Sequence, residues 1–334
     1  MAAPRVSVIL PCWNAAPYLP RALESLAAQT FSDFEIIAVD DGSTDQTPQI
    51  LREWASREAR IRLVEQNHAG VVTAANAAVD QARADLIARF DADDIMPPRR
   101  LEWQTDLFEA AANLTIAGGL VRCFPRAKLG DGMKRYEQWL NSLHTQEEIV
   151  RDMFVENVLV HPTIMVRAEA MRQVGAYRDE GWPEDYDLLL RLYGAGAEFA
   201  KVPRVVLWWR DQQQRLTRTR PEYAFTQFRR CKVHYLRALH LKDRDRVAIW
   251  GAGKEGRALG KHVKRVGLEI TRFIDIAPTK LGKRLLGAPV ETSDALRRDE
   301  YLLVAVGAAG ARDLIREELA ARGWSEPDDY RTMA

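Results

Sequence analysis

The sequence predicts an α/β protein with a mostly parallel sheet, helices on both faces and a smaller α/β unit after it. Three features carry this expectation. Apolar runs of strand length alternate with helix-like stretches from Val6 onward, acid-rich turns close several of those runs, and a strand, glycine, helix pattern recurs beyond Asp245.

In chain order, Val6-Ser7-Val8-Ile9-Leu10 is an apolar strand entering a turn at Pro11-Cys12-Trp13-Asn14, and Leu19 to Gln29 reads as a helix. Phe34 to Val39 is the next strand. It ends in Asp40-Asp41-Gly42-Ser43-Thr44-Asp45, before a helix from about Pro48 to Ala59. Ile61 to Val64 leads to Asn67-His68-Ala69-Gly70 and an alanine-rich helix through Ala84. Leu86-Ile87-Ala88-Arg89-Phe90 then reads as a buried strand closing in Asp91-Ala92-Asp93-Asp94, with a helix starting near Arg99 after Pro97-Pro98. Parallel strands joined by helices bring Pro11 to Asn14, Asp40 to Asp45 and Asp91 to Asp94 to one rim, the carboxyl ends of the strands, where open α/β sheets bind ligands. Clustered carboxylates suit Mg²⁺ or Mn²⁺, which a diphosphate needs to neutralise its charge. A polar turn with helix-capping acids is the alternative for Asp91 to Asp94.

These rim segments, in this order and spacing, resemble the nucleotide-sugar half of glycosyltransferase family 2 enzymes of the GT-A fold, over about residues 5 to 210. The resemblance implies transfer of a sugar from a nucleoside diphosphate sugar, UDP- or dTDP-linked, to an acceptor hydroxyl with inversion at the anomeric carbon. It implies that Pro11, Trp13 and Asn14 line the nucleoside pocket and that Asp40 accepts from base or ribose. Asp93 is then the leading metal ligand, with Asp91 and Asp94 as rivals. An aromatic plane at Trp13 can stack on a pyrimidine, and an ionised Asp40 makes charge-assisted bonds; half-buried packing is the alternative for Trp13. Asn76, on the helix after Gly70, is placed to reach the donor's sugar or phosphates, or is a solvated helix position.

A fourth segment supplies the base. Glu184-Asp185 precedes the apolar helix Tyr186 to Leu192 and matches the family's Glu-Asp pair, whose Asp removes the acceptor hydroxyl's proton; helix capping is the alternative. Asp187 is next in line. His161-Pro162-Thr163-Ile164-Met165-Val166 resembles the strand that borders the acceptor pocket in relatives, with His161 a contact or a structural histidine. Leu207 to Thr217 sits where many relatives carry a Tyr-Arg pair and a histidine; the histidine is absent, and Arg210 and Arg215 remain diphosphate partners or surface ion-pair members.

Composition narrows the class. A formal net charge of +1 in 334 residues indicates no nucleic-acid binder. Cys12, Cys123 and Cys231 are odd in number and lack metal spacing, which suits a reducing cytoplasm, and no signal peptide or membrane-spanning run is read. The acceptor is expected to be a carbohydrate or lipid-linked, reached in the latter case from the inner membrane face. Arg210 to Arg246 holds eleven Lys or Arg against four Asp or Glu, with Phe225, Phe228, Tyr235 and Leu239 at helical spacing. Such a helix either rests on anionic lipid or packs on its own domain. The expected division is residues 1–210 for the transferase domain, 211–244 for a basic helical linker and 245–334 for a Rossmann-like domain.

In that last part Asp245 to Trp250 is a strand, Gly251-Ala252-Gly253-Lys254-Glu255-Gly256 opens a helix to about Val266, and Ile270 to Asp275 is a second strand ending in an acid. Tyr301 to Val306, then Gly307 to Arg312, repeats the pattern. Glycines at a helix N-terminus let backbone N–H groups approach an anion, so Gly251, Gly253 and Gly256 with Asp275 are candidates for a nucleotide. A scaffold or subunit-docking module is the alternative. A nicotinamide oxidoreductase would explain this loop but none of the N-terminal segments.

Overall fold

The alternating apolar runs form strands because their side chains can be buried on both faces of a sheet covered by helices. Val6, Val8, Ile9 and Leu10 are all buried in β1 (Val6–Cys12), and all eight residues of β2 (Phe34–Asp41) are buried. β3 (Ile61–Gln66), β4 (Leu86–Arg89), β5 (Leu114–Phe124), β6 (Met165–Arg167) and β7 (Glu198–Arg210) complete a seven-stranded sheet in the order β3-β2-β1-β4-β6-β5-β7. Every neighbouring pair is parallel except those made by β6, which runs antiparallel to β4 and β5. The helices Leu19–Ala27, Thr47–Arg57, Val71–Gln81 and Arg100–Ala110 lie between strands as expected. Val71–Gln81 packs on β1 and β2 through the small side chains Ala74, Ala75 and Ala78.

The computed structural model describes residues 3–213, 215–308 and 310–334; Gln214 and Ala309, which fall within two of the segments quoted above, lie outside the described residues. The chain divides into two units. The first holds β1–β7; the second holds Val150–Asn157, Gly181–Pro183 and Arg220–Ala334. The segment expected as a linker therefore gives the helix Phe225–Leu239 to the second unit, with Cys231, Val233, Tyr235 and Leu236 buried and Phe225 exposed. The sheet of this unit contains β8 (Arg246–Trp250), β9 (Glu269–Ile274), β10 (Arg284–Leu285), β11 (Ala288–Glu291), β12 (Tyr301–Val304) and β13 (Tyr330–Thr332), in the order β10-β11-β9-β8-β12-β13. Only β10 and β11 pair antiparallel. No helix among the described residues is long and apolar enough to cross a membrane.

One expected strand is shorter than its apolar run. His161–Thr163 forms a 3₁₀ turn and only Met165–Arg167 pairs, since Pro162 has no N–H to give a ladder.

Two predictions concern stability. Glu35 on β2 is buried and accepts from Ser7 Oγ at 2.7 Å and from Arg83 N and Nε at 3.0 and 2.8 Å. Burial would raise its pKa, but these bonds and one from Arg62 outweigh that and hold it below the ordinary 4.5. A carboxylate depressed in the folded state contributes stability above the unfolded value and loses it as pH falls through the folded one. Glu35→Gln should therefore lose roughly 2 kcal/mol at pH 7, with the gap narrowing below pH 4.5; urea midpoints at several pH values read this, and a constant gap contradicts it. In the second unit, a Cβ on Gly256 would stand 1.7 Å from the Gly251 carbonyl oxygen, whereas one on Gly253 would meet only Lys280 Nζ at 3.9 Å. Thermal unfolding should show Gly256→Ala destabilised by about 3 kcal/mol or more and Gly253→Ala nearly neutral; equal effects would contradict the packing role.

Candidate functional site

The parallel register sets the site. Cys12 pairs with Asp40 and Asp41 with Gln66, so the ends of β1, β2 and β3 open on one rim, and β4 beside β1 delivers Asp91 to Asp94 to the same edge. Side-chain to backbone bonds join the loops there. Asn14, at φ 48°, accepts from Thr44 N at 2.9 Å through Oδ1, while its own N–H donates to Ser43 Oγ at 2.9 Å. Asp45 accepts from Ala16 N at 3.1 Å and Thr47 N at 2.9 Å. Asn14 thus braces the loop after β2 against the loop after β1.

Asp41, which sequence reasoning left without a role of its own, organises the third loop. Its carboxylate accepts from Ala69 N and Gly70 N, both at 2.9 Å, and lies 2.8 Å from His68 Nδ1. Gly42 turns away at φ 65°, and a Cβ there would stand 2.5 Å from His68 N, so the close approach requires glycine. His68 in turn stacks on Trp13, with centroids 4.6 Å apart and planes at 20°. Trp13 remains 45% exposed beside half-buried Pro11. Asp40, 4% exposed, has a buried Oδ1 without a hydrogen-bond partner. A buried acceptor left unpaired in this way is an uncommon feature that suits a donor group from a ligand.

Asp91, Asp93 and Asp94 each place a carboxylate oxygen within 4.8 Å of the others. Their surroundings separate them. Burial opposes the charge of Asp91, but Arg89, whose Nε donates to it at 2.8 Å, outweighs that and keeps it below the usual range. Burial and the Asp91 charge push Asp93 up to about 6, and burial with Asp93 and Asp91 raises Asp94 well above its ordinary value. Asp94 Oδ1 accepts from Arg210 N at 2.7 Å, Asp93 O from Arg210 Nε at 2.6 Å and Asp93 Oδ2 from Gln212 Nε2 at 2.7 Å. The segment after β7 is thus bound to the acid cluster. The Arg210 guanidinium lies over Tyr18 at 4.7 Å and Phe124 at 4.5 Å, and Arg215 over Trp209 at 3.9 Å. The carboxylates fit a divalent cation, because one would relieve the like-charge crowding that raises Asp93 and Asp94; Asp91 and Asp93 are the less buried two of the three.

Asp185 is half-buried in the first turn of the helix Glu184–Gly194, and its Oδ1 accepts from Tyr186 N at 2.7 Å. Asp187 is fully buried and pairs with Arg191 at 2.6 Å, a structural role that sets it aside as a base. Burial raises the Tyr177 hydroxyl's pKa, and the charges of Arg89, Glu184, Asp91 and Asp185 act on it. His161 Nε2 lies 2.8 Å from that hydroxyl, and burial, then the Arg89 charge, pushes its pKa down to about 3. His161 is thus a half-buried partner of Tyr177. Asn76 is also occupied by this loop: its amide donates to Tyr177 O at 2.9 Å and accepts from Tyr177 N at 3.0 Å. Both ends of the amide therefore hold the loop.

In the second unit the glycine loop has a packing explanation. Gly251, at φ 122°, approaches the Ala305 carbonyl, and Gly256 approaches Gly251. Asp275, expected to accept from a ribose, instead accepts from Ala252 N at 2.9 Å, Ala277 N at 2.9 Å and Lys280 Nζ at 2.8 Å. Both its oxygens are engaged within the unit.

Comparison with known proteins agrees with this geometry. Residues 7–175 match the model of glycosyl transferase family 2, and residues 242–323 match the CoA binding domain. The chain is 29% identical over 194 residues to chondroitin synthase from Escherichia coli, covering 58% of this chain and 27% of that protein. It is 31% identical over 198 residues to the putative glycosyltransferase EpsE of Bacillus subtilis, covering 58% of this chain and 68% of the relative. It therefore spans about a quarter of the synthase. Among solved structures, an S. aureus TarS fragment in complex with UDP-GlcNAc superposes with a TM-score of 0.59 at 18% identity, over 78% of this chain and 72% of that one. The seven-stranded sheet with its acid-lined rim is a GT-A fold, and the chain belongs to glycosyl transferase family 2.

Proposed function

We propose that the chain is an inverting glycosyltransferase that moves a sugar from a UDP- or dTDP-linked donor to an acceptor hydroxyl in polysaccharide or glycoconjugate assembly. The observation that carries this reading is the acid cluster at the end of β4, on the rim where Asp40 Oδ1 lacks a partner. Trp13 would stack on the base, with Pro11 beside it, and Asp40 would accept from an imide N–H or a ribose hydroxyl. A Mn²⁺ or Mg²⁺ ion held by Asp91 and Asp93 would neutralise the diphosphate's charge. Asp185 takes the proton of the acceptor hydroxyl as its oxygen forms a bond to the anomeric carbon and the bond from that carbon to the diphosphate breaks. The acceptor is a carbohydrate, free or lipid-linked, reached from the cytoplasmic side; the three free, buried cysteines suit that reducing compartment.

Incubation with nucleotide sugars and Mn²⁺, followed by assay of nucleoside diphosphate release, tests the reading. Asp93→Asn should abolish nearly all release and remove its dependence on divalent ions; wild-type rates in chelator would contradict the metal role. Asp185→Asn should leave donor affinity within a few-fold and lower turnover by roughly 10² or more. Calorimetry that finds donor binding lost together with turnover would make Asp185 a binding residue instead.

A further inference from the structure

Gly181, Trp182 and Pro183 group with the second unit, and the chain passes directly from them into Glu184 and Asp185, the first turn of the helix Glu184–Gly194. Trp182 is 7% exposed. Its ring packs against two side chains of the helix Phe225–Leu239, His234 with centroids 5.2 Å apart and Tyr235 at 6.5 Å, and the Arg230 guanidinium lies over its face at 4.7 Å. Arg230 and His234 are exposed residues of the stretch whose basic, amphipathic pattern left lipid contact or packing open; at this point of the helix they wall in an indole. Gly181, at φ 69°, makes the turn that brings the indole in. Pro183 fixes its own φ and restricts the backbone of Trp182, so the two residues after the ring have little freedom to absorb a shift of it. In the turn that follows, the Asp185 carboxylate is oriented by the helix start itself, through Tyr186 N at 2.7 Å. The place of the ring therefore sets the place of the carboxylate three residues on, and a displacement of about 1 Å at a reacting group can cost on the order of 10² in rate.

We propose that Trp182 is a positioning residue for the base: seated among Arg230, His234 and Tyr235, it fixes the start of the helix Glu184–Gly194 and with it the place of the Asp185 carboxylate. This rests on the reading of Asp185 as the base, so the test separates the two. Nucleoside diphosphate release from UDP-GlcNAc, UDP-glucose and a dTDP-linked hexose, each with Mn²⁺, is measured for the full chain, for Trp182→Ala, Trp182→Phe and Asp185→Asn, and for Trp182→Ala combined with Asp185→Asn; calorimetry gives UDP and dTDP affinity. Trp182→Ala should lower turnover about tenfold or more with nucleotide affinity within about threefold, and Trp182→Phe should recover most of the loss. Because the indole acts through Asp185, the double variant should be no more than about twofold slower than Asp185→Asn alone. Wild-type turnover in Trp182→Ala, nucleotide binding lost together with turnover, or a full further loss of about tenfold in the double variant overturns the positioning role. Wild-type turnover in Asp185→Asn overturns the base reading instead, and no release by the wild-type chain from any of the donors overturns the nucleotide-sugar reading. Should Trp182→Ala not fold, amide hydrogen exchange takes its place: Arg230→Ala with His234→Ala, both at exposed residues, should speed exchange over residues 186–190 about tenfold while β1 and β2 keep their protection. Unchanged exchange over 186–190 overturns the proposal.

Discussion

At the end of β4 three carboxylates crowd within 4.8 Å, and the surrounding structure answers their mutual repulsion. Arg89 neutralises Asp91 from within the strand, Arg210 binds Asp94 and the Asp93 carbonyl through its backbone and side chain, and Gln212 holds the Asp93 carboxylate. The chain after β7 therefore returns to the sheet edge at this point, where Ile95 and Trp208 also bridge. Like charges in a partly dry site favour protonation or a cation, and the raised Asp93 and Asp94 register that tension. The same pressure that makes the cluster unfavourable in isolation makes it suited to a metal-bound diphosphate.

Around this cluster the remaining polar groups mostly hold loops in place. Asn14 accepts from Thr44 N, Asp45 from Ala16 N and Thr47 N, Asp41 from Ala69 N and Gly70 N, and Asn76 bonds Tyr177 N and O, so side-chain bonds tie the loops of the rim together. Rigid positioning is what lets a few groups, exposed Trp13 and the buried to half-buried acids, orient a ligand. In the second unit the glycines permit a helix to lie against a strand, and Asp275 closes its own loop, so the residues of this fingerprint also serve packing.

Much of this was legible in the sequence because strand, helix and turn signals agreed. The runs Val6 to Leu10, Phe34 to Val39 and Leu86 to Phe90 are buried strands, and the rim acids stand where parallel connections put them. Less legible were the partners of each polar side chain. Asn76 meets Tyr177, 101 residues away, and Gln212 meets Asp93, 119 residues away, and no local pattern encodes such pairs. The roles of Asp41 and His68 depend on how the loops after β2 and β3 meet. Arg89 did leave a signal, a charge inside an apolar run, but only the fold shows that Asp91 is the group it faces. The strand at β6 was expected, but its antiparallel direction was not legible, because its partners β4 and β5 are distant in sequence.

The account's central claim is that the rim carboxylates bind a divalent ion together with a nucleoside diphosphate. Electron paramagnetic resonance of Mn²⁺ measures this directly, since the signal of the free ion falls as the ion is bound. The account predicts uptake of about one Mn²⁺ per chain in the presence of UDP or dTDP, lost in Asp93→Asn. An undiminished free-ion signal with either nucleotide, or equal uptake by the variant, would contradict it.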